Sequence, residues 1–462
     1  MRLLIVSAGY WSNWGCFGAT YSSIFGGLTD VEIGQVYFNL TLPAADVPPN
    51  VTRFFKVGLK AAALSPLTRK FVGSEVSRRT ADRDDMGEYT DCSSAEKSLI
   101  YYFRRHHWTW LKWLGYWFIA RFGRWRSPQL REFIKDFRPD AIWVDATPTM
   151  PSLAMGIYLK KLTGLPMTGY IYDEHYSLKR LRFSPAFWLY RLASRRLIRR
   201  VILESQWFYT ISEAQREYYE RKFGKTCYVL TRSADFSGEH PLPASRRPEE
   251  PLKLVYTGNL SNGRYKALMI VGEAIRRAGL HAELDVYSSQ PVSRRLVQNL
   301  ESGGRVRFRG TVSGAEILAI QRNADILVLA EGFSAAYRLA AGKAFSTKIV
   351  DYLHSGRPIL AVGPKEMNSI AYIERHGCGL AAASVSEAAE ALRRLVDEPD
   401  LPARLTARAW ETGRTFHDTT KSRAVLSVQL ALLAAGIPAE TPTRRTSECM
   451  ISAGEERKKS PF

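Results

Sequence analysis

Lys348 and Asp351 lie three positions apart at the start of a short segment whose flanks carry helix punctuation. Ser346 or Thr347 reads as the N-cap, and Gly356 sits where a left-handed residue ends a helix. Upstream, Ala324 to Leu329 is a short apolar run that ends at Glu331-Gly332. Downstream, Pro358 opens a second run, Ile359 to Val362. The order strand, loop, short helix, strand makes one βαβ unit. A helix start attracts anions through its free N–H groups and dipole, and Lys348 adds a full positive charge. A carboxylate one turn in does not bind phosphate, but it accepts hydrogen bonds from neighbouring hydroxyls, such as those of a ribose. Together the two residues suit a nucleotide-sugar diphosphate. The bland alternative leaves Asp351 complementing the dipole and Lys348 solvated.

The elements that position this pair are further α/β units. Leu252 to Thr257 reads as a strand leading into a loop with Gly258 and Gly263, then a helix with Arg264 and Lys266 at its start. That is a second anion-friendly mouth, and it lacks the GxxxxGK[ST] spacing of a Walker loop. AELDVYS, RVRFRG with Gly310, and SGAEILAIQRNA continue the pattern. The first half opens on a strand, Arg2 to Ser7, and a loop with Gly9, Gly15 and Gly18 that lacks GxGxxG. Val31 to Phe38 reads as a strand, Asp46 to about Lys97 as irregular, and Ala81 to Glu96 as an acidic surface loop. AIWVDA reads as a buried strand, followed by a helix ending at Gly164. MTGYIYDE then places Asp173, Glu174 and His175 at a strand's C-terminal end, where parallel sheets bind ligands. Asp173 and His175 are candidates for placing an acceptor, as base, clamp or sugar binder, although polar strand ends also occur in plain loops. Ser212 caps a helix closing this half, and the Pro-rich SADFSGEHPLPASRRPEEP reads as a linker.

Length and composition bound the rest. A chain of 462 residues forms roughly two or three domains. The net charge of +20 requires an anionic partner: membrane lipid, nucleic acid or a phosphorylated substrate. Five scattered cysteines without CxxC fit neither a disulfide framework nor a zinc site, and no metal site is expected. Two stretches, 98–126 and 179–200, interleave basic residues with Trp, Tyr and Phe, and neither contains an acid. Rings at headgroup depth and cations on anionic lipid are what an interfacial helix needs. Such stretches also stack nucleotides, and an ordinary core helix with solvated basic side chains has the same composition. The reading taken is an anionic membrane surface and no nucleic acid. MRLLIVSAGYW reads as a first strand rather than a signal peptide, and no run has transmembrane length. The expected location is cytoplasmic, peripheral to the inner face of the membrane. Residues 437–462 are polar and expected to be disordered.

The ordered series TISE, a linker with Asp235, VYTGNLSNGRYK, VRFRGTVSGAEI, NADILVLAEG, STKIVDYLHSGRPILAVG and GCGLAA resembles a GT-B glycosyltransferase of the family 4 type. The match runs from about Val201 to Val396; the first half matches only in layout. The resemblance implies an α/β fold of two facing Rossmann-like domains with a cleft and a C-terminal helix crossing back. It implies an acceptor domain at 1–235, a donor domain at 236–402, and returning helices at 403–436. Arg264 or Lys266 with Lys348 match the pair that clamps the donor diphosphate, with Thr347 beside it, and Asp351 matches the carboxylate that reads the ribose. Gly258 and Gly310 belong to donor loops. The resemblance implies a UDP- or GDP-sugar donor, no required cofactor, and transfer with retention of anomeric configuration without an obligatory metal. Taken with the basic aromatic stretches, the expected acceptor is a glycan or lipid-linked one in cell-surface polysaccharide or glycolipid synthesis.

One position departs from the family. Members often carry two glutamates eight positions apart, and eight before Asp351 stands Lys343. Two other readings follow from the same residues: a non-catalytic scaffold of this architecture, and a nucleotide-sugar 2-epimerase. A scaffold has no need of Arg264, Lys266, Lys348 and Asp351 together, and an epimerase has none of membrane-facing aromatics.

Overall fold

The computed structural model describes residues 1–11, 16–39, 42–44, 46–78, 109–241, 250–288, 291–312 and 314–438. Gly15, the acidic patch Ala81 to Glu96, residues 98–108 of the first basic stretch, residues 242–249 of the linker and the tail from 439 lie outside them. The chain divides into two compact units, residues 1–176, 182–230 and 423 onward forming one, and 177–181 with 231–422 the other.

The first unit holds eight strands: β1 Arg2–Ser7, β2 Glu32–Phe38, β3 Val51–Val57, β4 Ser74–Val76, β5 Ala141–Asp145, β6 Met167–Ile171, β7 Phe208–Thr210 and β8 Cys227–Val229. They are ordered β4-β3-β2-β1-β5-β6-β7-β8, all parallel except β4. Strand side chains alternate faces, and both faces of this sheet are covered. Thus Leu4 and Val6 of β1 enter one core while Leu3 and Ile5 enter the other. That is why the central strands read as unbroken apolar runs.

The second unit holds β9 Leu252–Thr257, β10 Ala282–Tyr287, β11 Val306–Gly310, β12 Ile326–Ala330, β13 Ile359–Val362 and β14 Gly379–Ala382. Their order is β11-β10-β9-β12-β13-β14, all parallel. The helix Asp400–Phe416 stays with this unit, where Leu401 and Leu405 join the core and Trp410 packs on Phe236 and His354. The return to the first unit starts at Arg423. Beyond it, Leu426, Leu430 and Leu433 of the helix Thr419–Ala434, spaced i, i+4, i+7, are buried in the first unit's core.

The segment expected to be irregular from Asp46 is ordered in its first part, as β3, the helix Leu59–Thr68 and β4. Thr52, Arg53 and Lys56 interrupt the apolar pattern of β3, and Pro66 lies inside the helix, so periodicity concealed both elements. Arg53 pairs with Glu75 on the neighbouring β4 at 2.6 Å, which explains a charge within a strand. Among the described residues no helix is long and apolar enough to cross a membrane.

Candidate active site

In a doubly wound parallel sheet, the order in which strands are laid down reverses at a switch point, and loops at the carboxyl ends of the two strands there diverge to leave a crevice. In the second unit that point lies between β9 and β12. Gly258 follows β9 and Glu331 follows β12. The loop after β9 turns through Asn262 at φ 60° and Gly263 at φ 81°, and a Cβ on Gly332 would lie 2.0 Å from the Asn262 carbonyl. The two loops therefore touch, and only glycine permits the approach.

Arg264 opens the helix Arg264–Ala278 and turns into this contact. It donates from Nε to Glu331 Oε2 at 3.2 Å, from Nη1 to Asn259 Oδ1 at 2.7 Å and from Nη2 to Tyr337 Oη at 2.7 Å. Tyr337 in turn donates to Glu331 Oε2 at 2.6 Å. The Glu331 side chain is 3% exposed and that of Arg264 14%. Burial pulls the Arg264 pKa down, but the facing carboxylate and tyrosines outweigh it and hold the pKa well above the ordinary value. Lys266, two residues on, points to solvent outside this network.

Lys348 begins the helix Lys348–His354. Its ammonium donates to Tyr256 Oη at 2.9 Å and lies 4.5 Å from that ring's centroid. It also crosses the backbone of Gly258, where a Cβ would meet Lys348 Cε and Nζ at 2.1 Å. Lys348 is thus held at the switch point rather than solvated. Thr347 occupies the N-cap position, but its backbone is already helical and its side chain makes no capping bond. Neither hydroxyl caps the helix as expected: Ile349 N–H bonds the Ser346 carbonyl, and Ser346 N–H bonds Ser369. Gly356 follows the helix at φ 66°, as the spacing predicts.

Asp351, one turn on, pairs through Oδ2 with Arg232 Nη1 at 2.9 Å. Burial raises its pKa, against the charges of Arg232 and Lys348. Gly310 ends β11, two strands from β9, at φ 84° with open space where a side chain would stand. The structure therefore brings Gly258, Arg264, Lys348 and Asp351 to one crevice, with Gly310 farther along the same edge. Sequence reading missed Arg232, Tyr256, Glu331 and Tyr337. Glu331 alone left a signal, as an acid directly after a buried parallel strand.

In the first unit the switch point lies between β1 and β5. Asp145, the last residue of β5, is 1% exposed. Its Oδ1 accepts from the Tyr21 hydroxyl, which itself accepts from Trp143 Nε1 at 3.0 Å, while Oδ2 has no hydrogen-bond partner. Burial pushes the Asp145 pKa from 3.8 up to about 7, although the Tyr21 and Trp143 bonds pull the other way. After β6, Asp173 is exposed, and its carboxylate stands 4.0 Å from His175 Nε2. His175 sets its ring edge against Tyr172. Glu174 is buried and accepts from Tyr219 Oη at 3.1 Å. So Asp173 and His175 stand together at the carboxyl end of β6, and Glu174 serves the core.

Because the folded pKa of Asp145 exceeds its unfolded value, the carboxyl contributes most below pH 4, and that contribution is lost as pH rises toward 7. Asp145→Asn is expected to remove this dependence. Its unfolding midpoint should exceed the parent's at pH 8 and converge with it at pH 4. Thermal melts across that range check it, and parallel curves would overturn it.

The fold is the GT-B fold of glycosyltransferases. Sucrose-phosphate synthase from Thermosynechococcus elongatus superposes with a TM-score of 0.60 at 12% identity, over 94% of this chain and 99% of that one. Anabaena HepE in complex with UDP and glucose gives 0.59 at 12% identity, over 93% and 99%. A glycosyltransferase from Rickettsia africae gives 0.53 at 10%, over 94% and 98%. No curated relative matches the sequence. The family described as glycosyl transferases group 1 matches residues 251–398, nearly the whole of the second sheet and its helices. On fold and domain the protein is a glycosyltransferase, with a group 1 domain in its second unit.

Proposed function

We propose that the protein moves a sugar from a UDP- or GDP-sugar, with retention and without a metal requirement, to a glycan or lipid-linked acceptor at an anionic membrane surface. The observation that carries this is the position of Lys348, held over Tyr256 and Gly258 at the switch point with Asp351 one turn behind. A diphosphate leaving group gains negative charge as the glycosidic bond breaks, and fixed cations stabilise it most in that state. Lys348 supplies such a charge, and Arg264, locked by Glu331, Asn259 and Tyr337, presents a guanidinium of fixed orientation beside it. Asp351 accepts from the ribose hydroxyls, exchanging its bond to Arg232 for them. Asp173 and His175 place the acceptor hydroxyl. UDP and UDP-glucose occupy structures of the Anabaena neighbour, which supports a nucleotide-sugar here.

The membrane reading draws on two helices of the first unit. Thr109–Phe122 exposes Trp110, Leu114, Trp117 and Phe122, and Pro185–Glu204 exposes Leu189 and Leu192, with Phe183 fully exposed just before it. Large apolar side chains beside cations suit the headgroup zone, and assembly of cell-surface polysaccharide or glycolipid follows from such a location.

The test is a donor panel of UDP-, GDP-, ADP- and dTDP-sugars with anionic vesicles, with and without EDTA. Nucleoside diphosphate release is expected from one donor, indifferent to EDTA. If no nucleotide raises the melting temperature, the donor site is wrong and the scaffold reading replaces it.

A further inference from the structure

Three helices of the first unit, Thr109–Phe122, Met150–Thr163 and Pro185–Glu204, pack side by side and leave a groove of about 510 Å³. That volume lies within the range of roughly 300–1,000 Å³ typical of small-ligand sites. Its floor is apolar, with Trp117, Ala154, Ile157 and Leu197, and its rim carries Arg121, Arg126, Lys161, Arg196 and Arg200. Only Arg200 has a carboxylate, Glu204 one turn away at 2.6 Å. Among the described residues the other four enter no ion pair.

Arg126 is laid against two rings, 4.0 Å from the Trp125 centroid and 5.6 Å from that of Tyr158. Loss of hydration there, together with the charge of Arg121, holds its pKa below the ordinary arginine value despite Tyr158. Like charges converging on an apolar floor repel one another, and an anion between them turns that repulsion into attraction.

Spacing ties the groove to the exposed apolar stripes. Trp110, Leu114, Trp117 and Arg121 stand at i, i+4, i+7 and i+11 of one helix, and Leu189, Leu192, Arg196 and Arg200 at i, i+3, i+7 and i+11 of the other. On each helix one face therefore runs from exposed hydrocarbon into the cationic rim. A free phosphate has no use for that floor, and a nucleic acid has none for the aliphatic stripes.

We infer that this groove binds a single anionic lipid, the phosphate on Arg121, Arg126, Lys161 and Arg196 and the first methylenes on the floor. This rests on the membrane-surface reading and makes part of that attachment saturable and one-to-one rather than diffuse.

The test uses the full chain and three probes: phosphatidylcholine vesicles with increasing phosphatidylglycerol, monomeric dihexanoyl phosphatidic acid, and inorganic phosphate. Vesicle binding and saturable one-to-one binding of the short-chain lipid, with quenching of tryptophan fluorescence, are expected. Arg121→Gln/Arg126→Gln/Arg196→Gln is expected to weaken short-chain binding at least about tenfold. Lys112→Gln/Arg182→Gln/Arg199→Gln, equal in charge and outside the groove, should weaken vesicle binding only. Vesicle binding without saturable short-chain binding overturns the groove and spares the membrane reading. Binding of no vesicle overturns both. Inorganic phosphate matching the short-chain lipid in affinity overturns the lipid as occupant.

Discussion

Lys348→Ala is expected to lower kcat/KM for sugar transfer by about 100- to 1,000-fold, the loss typical when one fixed donor to a developing oxyanion is removed. Stability should change little. The ammonium is held by a tyrosine hydroxyl and ring, while the helix behind it is anchored independently: Tyr352 accepts from Thr257 N–H and donates to the Val328 carbonyl. The loss should fall mainly on kcat, because charge on the diphosphate grows as the bond breaks. Lys348→Met keeps the aliphatic stem over Gly258 and should be as inactive as alanine, which separates charge from packing. Steady-state kinetics with calorimetric titration of the nucleoside diphosphate checks this. Unchanged kinetics in both variants would remove Lys348 from the donor site.

Glu331→Ala is expected to destabilise the second unit by about 3–5 kcal/mol, because it leaves Arg264 enclosed without its counter-charge. Both side chains are largely shielded from water, and Tyr337 loses its acceptor as well. For a unit of this size the melting temperature should fall by roughly 10 °C. Glu331→Gln retains an acceptor for Arg264 and Tyr337 and should cost less. Adding Arg264→Ala to Glu331→Ala should cost less than the two changes summed, since the stranded cation is then gone. Thermal and urea unfolding of Glu331→Ala, Glu331→Gln, Arg264→Ala and the double variant checks the order. A drop below about 2 °C for Glu331→Ala would show that the pair does not hold the two loops together.

Legibility followed the range of each interaction. Alternation of apolar runs with glycine-bearing loops disclosed the α/β class, and β1, β2, β5, β6 and β9 lie where their runs predict. Asp351 stands one turn from Lys348 because three positions on a helix guarantee it. The reading lost β3 and β4 because their charges are satisfied across strands, by Arg53 on Glu75. The expected hydroxyl cap failed because the backbone enters the helix already coiled at Thr347.

The sequence by itself determined two α/β halves with parallel central strands, a lysine and an aspartate on one helix turn, an arginine at the head of another, and basic aromatic segments. Tertiary structure alone decided their partners. Lys348 meets Tyr256 across 92 positions, Arg264 meets Glu331 across 67, and Asp351 meets Arg232 across 119. Tertiary structure likewise converged Arg121, Lys161 and Arg196 from three helices, and Arg126 from the loop after the first, onto one groove. Local periodicity sets which face a side chain takes, but strand order in a crossed-over sheet sets which distant loops share an edge. A hydrogen bond needs atoms within about 3 Å, and only the folded order of strands delivers that.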